Sequence, residues 1–527
     1  MSNKFNLDRR SFLKGSAVAA GALGIGLTGC GGEKKPAAGG ASEGPAAITA
    51  ASAYANQNFT PFNCSSALGV GTNWHVVEGL YNLDMVTYTP YKALAADDDP
   101  VKISDTEYEV KLRDGAKFSD GTDVTAEDVV SSYERTVEPE GALYKSMLSF
   151  IDHMEAKDEK TVKIVLNQPF GLLKYRLPLI YVLPKAQDAE AMKTNPIGSG
   201  PWKYDGITET DVKFVANEHY NGDHPAKTSD MEWKSIKDNT ARTTALTEKT
   251  VKVMEGVPVD TSAQCEGAGA KVEPVQGFGL PFLMFDTVKE PFNDKRVRQA
   301  FFYAIDVEKL IENAMGGLAS PVTCFLPKTY KNYHEASTVY THNTEKAKEL
   351  LKEAGQENLK ITLQATDHDW IKALTPQIKN DLEAAGMTVE INQQASSSLY
   401  SNWADVEGSN YDVALAPGDP SCFGNDPDLL MNWWYGDNIW TQKRTWWQSS
   451  DKAKFDELHE YMNEALKAED EAGQQEAWNK CFDLIAEEVP LYPLFHKQVV
   501  TGYYTDDLDG FKPIGTTGMY FIDVAAK

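Results

Sequence analysis

An α/β fold with more than one core is what this sequence predicts, and three observations carry it. A strand, a helix and a strand follow one another across 360–393. Two β-rich runs at 107–112 and 161–166 frame a capped helix. Roughly 480 residues remain after an N-terminal leader and tether, more than a single hydrophobic core holds, so two or three domains are expected.

The leader comes first. "DRRSFLKGSAVAAGALGIGLTGC" (8–30) sets two arginines before a Gly- and Ala-rich apolar run and ends that run at a cysteine. The run from Gly15 to Gly29 falls short of the roughly 20 residues a membrane-spanning helix needs, and it reads as an export signal. Arg9 and Arg10, followed by Phe12, Leu13 and Lys14, resemble the twin-arginine signal. Leu27-Thr28-Gly29-Cys30 resembles the bacterial lipobox, which implies that Cys30 is acylated and heads the mature chain. Two or more acyl chains anchor stably where one is marginal. Residues 30–48 are rich in Gly, Ala, Pro and Ser without an apolar period, hence a flexible tether holding the body about 20–25 Å from the membrane.

Charge narrows the partners. Lys4, Arg9, Arg10 and Lys14 against Asp8 give the leader +3, so the −26 of the whole chain leaves −29 for the remainder. Such a surface repels phosphate backbones and anionic headgroups, which argues against nucleic acid and against membrane binding through the body itself. Beyond Cys30, the five cysteines Cys64, Cys265, Cys324, Cys422 and Cys481 are widely spaced and contain no C-x-x-C, so neither zinc nor redox chemistry is signalled. Export permits disulfides, but spacing does not choose pairs, and at least one thiol stays free or pairs outside the chain.

"EYEVKL" (107–112) and "TVKIVL" (161–166) read as strands. Between them Asp120-Gly121 is a turn, and Thr125 with Asp128 three residues on resembles a capping box. The helix it opens lines Val129, Val130, Tyr133 and Val137 along one face. From Asp294, "DKRVRQAFFYAIDVEKLIENAM" is helical, with Val297, Ala300, Phe301 and Ala304 on one stripe and Asp306 placed to cap a second helix. "KITLQA" (360–365), a helix over 372–386 closed by Gly386, and "MTVEINQ" (387–393) make a parallel βαβ unit. The next strand, "YDVALA" (411–416), runs into "PGDPSCFGNDPD". In open α/β sheets ligands sit beyond the carboxyl ends of the strands, and this loop leaves such an end carrying Asp419, Asp426 and Asp428. Acidic groups in a Pro- and Gly-rich loop are equally at home as solvated turn residues.

In order along the chain stand "VVEGLYNLD" (76–84), "VKLRDGAKFSDGTDVTAEDVVSSYERT" (110–136), "PIGSGPWKY" (196–204), "PFNDKRVRQAFFYAID" (291–306), "TEKAKELLKEAG" (344–355) and "EVPLYPLFH" (488–496). Together they resemble the large solute-binding proteins of bacterial ABC importers, the family of the oligopeptide- and dipeptide-binding proteins. The resemblance implies a two-lobed, periplasmic-binding-protein-like α/β clamp. Residues 49–277 with 490–527 would form lobe I, with 82–195 as its extra α+β subdomain, and 278–489 would form lobe II. Hinges are expected near 277–282 and 489–495, where Gly277 and Gly279 could absorb rotation or mark only a bulge.

The function so implied is capture of a small solute, most readily a peptide, and its delivery to a membrane permease. The protein would be lipid-anchored at the outer face of the cytoplasmic membrane, a monomer, without cofactor and not an enzyme. In peptide-binding members an aspartate at the end of a lobe II strand receives the α-ammonium. Asp419 holds that place after "YDVALA", with Asp426 as the alternative because the loop is long and Ala416-Pro417 stand where an aromatic is common. At 246–258 Lys252 occupies a usually acidic position, and that segment reads as structural. Trp74, Phe282 and Phe495 fall on segments expected to line the cleft or hinges, and Trp434 belongs to an aromatic cluster with Trp433, Tyr435, Trp440, Trp446 and Trp447. Most of that cluster is expected in packing. His368 between Asp367 and Asp369 has no second His at ligand spacing, so no metal site is expected. No P-loop or nucleophile elbow appears. The alternatives within and beyond the class are a non-peptide solute (oligosaccharide, metal chelate, haem) and a peptide-sensing receptor or chaperone.

Overall fold

Thr125 opens its helix as the spacing predicts: Thr125 Oγ1 accepts from the Asp128 N–H at 3.4 Å while the Asp128 carboxylate accepts from the Thr125 N–H at 2.9 Å. The helix Ala126–Val137 turns Val129 and Tyr133 inward. It packs beside an antiparallel four-stranded sheet in which Glu107–Lys111 pairs with Thr161–Leu166, and that strand with Ile151–Ala156. Val162, Ile164 and Leu166 alternate inward along the central strand. This computed structural model describes residues 46–527 except 57, 140, 141, 407, 409, 410 and 469. Arg9, Arg10, Cys30 and all but the end of the expected tether lie outside the described residues.

Two larger sheets make up the rest. Lys360–Thr366 and Thr388–Gln394 run parallel, joined by the helix Asp369–Ala384, and Val413–Gly418 lies parallel on the other side of Lys360–Thr366. Leu280–Phe285 and Leu491–Pro493 complete this sheet antiparallel, giving five strands. Its central strands are apolar throughout, as strands covered on both faces must be. Asp294 and Asp306 cap Lys295–Ala304 and Val307–Met315 as expected.

The eight-stranded sheet is built around Ile48–Ser52, which runs parallel to both its neighbours, Asp230–Ser235 and Val253–Glu255. On its outer side Lys271–Gln276 pairs with Phe495–Tyr503. The chain passes directly from a strand of one large sheet to a strand of the other at Gly277–Gly279 and at Leu494, and in chain order between strands of the five-stranded sheet Ala319–Pro321 pairs with Phe495–Tyr503 as well. At the first crossing a Cβ on Gly277 would lie 1.8 Å from the Gly515 carbonyl oxygen, so close approach of two backbones requires glycine there. Trp202, Phe214, Trp233 and Phe521 fill the core under the eight-stranded sheet, while one large cluster joins the five-stranded sheet to the small one. All five described cysteines are free thiols, and Cys422 alone among them is not fully buried.

Candidate ligand-binding crevice

Strand Val413–Gly418 ends at the sheet's carboxyl edge, and Asp419 follows at once as the cap of a short 3-10 turn over Pro420–Phe423. Its Oδ1 accepts from the Ser421 N–H at 3.1 Å and from Ser421 Oγ at 2.5 Å. Its Oδ2 accepts from Thr516 Oγ1 at 3.1 Å, a residue of the C-terminal segment that packs with the eight-stranded sheet. The carboxylate thus stands at the junction of the two large sheets. Burial pushes its pKa up, against hydrogen bonds from Ser421 and Thr516 and the charge of Lys497.

The neighbouring parallel strand ends at Thr366, and the residues just beyond it reach the same place. Lys497, on the strand that crosses between sheets, carries its ammonium 5.2 Å from the Trp370 ring centroid. Burial lowers the Lys497 pKa, opposed by Asp419 and Glu255. Glu255 is itself buried, accepting from Ser52 Oγ at 3.1 Å and the Gly518 N–H at 2.6 Å. Two parallel strand ends, one crossing strand and the C-terminal segment therefore bring two carboxylates, one ammonium and an indole face together. Such a set can fix the orientation of a small polar, charged solute.

Among the other sequence-predicted residues, Asp426 is engaged elsewhere. Its carboxylate caps the helix Pro427–Tyr435 and takes two hydrogen bonds from Arg176, at 2.6 and 2.7 Å. Asp428 takes a third from the same guanidinium at 2.7 Å. Arg176 is wholly buried; burial opposes its charge, but the two aspartates outweigh it and hold its pKa above the usual value. Phe282 and Phe495 lie in the core, and Trp434 packs edge-on to Phe282 at 5.8 Å. Trp74 is nearly buried, beside Tyr181, Cys422 and Phe423 around a space of about 20 Å³, room for about one water. Of these six, Asp419 stands with Lys497 and Thr516 at the junction of the sheets, and Trp74 lines the small space beside Cys422. A larger groove of about 860 Å³ opens between the small sheet's subdomain and the helices after Asp426, with Trp433 and Phe150 among its walls.

Lys497, Trp370, Thr516 and Glu255 were not anticipated from the sequence. The only local sign was a lysine interrupting the strand "FHKQVV" just beyond the hinge expected at 489–495. At 246–258 the acid that reaches the site is Glu255, three residues beyond Lys252. His368 bonds Thr366 Oγ1 through Nδ1 at 3.1 Å, and among the described residues no group of three His, Cys, Asp or Glu side chains could hold a metal ion.

The profile of the bacterial extracellular solute-binding proteins, family 5, matches residues 89–453. The chain belongs to that family. Residues 6–26 match the twin-arginine translocation signal. The glutathione-binding protein GsiB of Escherichia coli K12 is 27% identical over 502 residues, 88% of this chain and 92% of the relative. Among solved structures, AgaA of A. tumefaciens R10 in complex with agropinic acid superposes with a TM-score of 0.77 at 23% identity, covering 91% of this chain and 99% of that one. The dipeptide-binding protein of Pseudoalteromonas sp. SM9913 in complex with Met-Leu gives 0.77 at 18%, covering 91% and 100%. NikA of Staphylococcus aureus in complex with Ni(L-His)2 gives 0.76 at 18%, covering 92% and 100%. The fold shared with these structures is the two-lobed, periplasmic-binding-protein-like α/β clamp. As a family 5 protein with an export signal, this is an extracytoplasmic solute-binding component of an ABC importer. GsiB and the Pseudoalteromonas protein are named as binding proteins.

Proposed function

We propose that the protein captures a peptide-like solute between its lobes, with the solute's ammonium at Asp419, and delivers it to an ABC permease. The observation that carries the reading is the placement of Asp419: a half-buried carboxylate at the end of a parallel strand of one lobe, bonded to Thr516 from the other. A cation entering there meets a charge already stripped of part of its water, where a charge-assisted hydrogen bond is stronger than in open solvent. Glutathione and Met-Leu, named for the relatives, both carry a free α-ammonium. The lobes, taken as 49–277 with 490–527 and 278–489, would close on the solute because a ligand touching both favours the closed state by its differential affinity.

In this reading Cys30 carries the lipid that tethers a monomeric body to the outer face of the cytoplasmic membrane, and residues 31–48 give it reach. Native mass spectrometry of the protein as exported is expected to find co-purified peptide-like ligand and a diacylated Cys30. Asp419→Ala is expected to abolish ligand-dependent thermal stabilisation, since losing such a charge partner costs on the order of 2–5 kcal/mol. Unchanged stabilisation would place the anchor elsewhere.

A further inference from the structure

Asp419 and Lys497 flank one residue. The Gly279 carbonyl accepts from the Lys497 N–H at 2.6 Å, and a Cβ on Gly279 would lie 3.3 Å from Asp419 Oδ2. Yet the two side chains make no ion pair within 4.0 Å: the carboxylate turns to Ser421 and Thr516, and the ammonium rests against Trp370. Among the described residues Lys497 Nζ has no hydrogen-bond acceptor. Both residues are half-buried, and opposite charges held near one another without meeting leave a place for a group that bridges them.

A peptide's amino terminus completes only half of this arrangement, because the atom group next to its ammonium is a neutral amide. An α-amino-acid head completes both halves, since it carries ammonium and carboxylate on one carbon. We propose that the crevice reads such a head, with ammonium on Asp419 and carboxylate on Lys497. The preferred solute is then an amino acid derivative or γ-linked glutamyl peptide rather than an ordinary α-linked peptide. This rests on the assignment of the ammonium to Asp419 and adds the second pole.

Glutathione and the α-linked tripeptide Glu-Cys-Gly have the same atoms and the same formal charge, and only the γ-linked isomer keeps the α-carboxylate free beside the ammonium. Titration calorimetry under reducing conditions on the mature protein is expected to give the γ-linked isomer at least tenfold tighter binding. Lys497→Met is expected to weaken that isomer tenfold or more with little effect on the other, and Lys497→Arg to retain the preference. Equal affinities for the two isomers, a preference that survives Lys497→Met, or no binding of either would overturn the second pole. Failure of the underlying assignment looks different: Asp419→Asn would then leave both isotherms unchanged.

Discussion

Two histidines make the protein acid-sensitive at the level of single side chains. His75 Nε2 accepts from the Phe521 N–H at 2.9 Å, which requires that nitrogen to be unprotonated, and burial lowers the ring's pKa to about 4. His496 donates through Nδ1 to the Phe278 carbonyl at 3.1 Å, and burial lowers it likewise to about 4. Each ring is neutral when folded and protonates near 6.5 when unfolded, so unfolding takes up protons in acid. The stability these rings contribute is intact above pH 6.5 and is lost as pH falls toward 4, roughly 3 kcal/mol each. Urea unfolding at pH 7.5, 6 and 5 is expected to show this decline, and His75→Gln to flatten its own share. At the same scale Asp419 and Asp426 are indistinguishable by residue type, and only their partners separate them: Arg176 neutralises Asp426, whereas Asp419 takes hydrogen bonds from neutral groups and faces Lys497 at a distance.

At the scale of elements, local grammar and backbone contact each set a measurable cost. Thr125→Ala removes the reciprocal cap of the Ala126–Val137 helix and is expected to destabilise by about 1 kcal/mol in denaturant titration. Gly277→Ala drives a methyl group into the Gly515 carbonyl at the lobe crossing, with an expected cost of about 3 kcal/mol and altered ligand affinity, since one crossing strand must shift. The capping residues, the βαβ unit and the strand before Asp419 were legible because each rests on neighbours within one or two turns of chain. The helix of the βαβ unit starts at Asp369 rather than 372 and carries Pro376 in its interior.

Across the whole molecule, one guanidinium ties distant parts together. Arg176 holds Asp426 and Asp428, 250 and 252 residues further along the chain, with Arg176 and Asp428 withdrawn from water and Asp426 largely so. Arg176→Met leaves the buried Asp428 and the partly buried Asp426 uncompensated and is expected to cost about 3–5 kcal/mol, with a larger radius of gyration in small-angle scattering. Adding Asp426→Asn and Asp428→Asn should recover most of the stability but not the smaller radius; full recovery of both would deny the contact any part in compaction. By itself the sequence determined the export signal, the acidic body, the helix caps, the order of strands and helices and the family blocks, because each depends on nearby residues or on composition. Tertiary structure alone decided which aspartate meets a guanidinium, that Phe282, Phe495 and Trp434 serve the core, and that Lys497, Trp370 and Thr516 gather around Asp419. Those outcomes depend on which strand ends and loops the chain's passages between sheets bring face to face, and contacts over hundreds of residues leave no periodic trace in the chain.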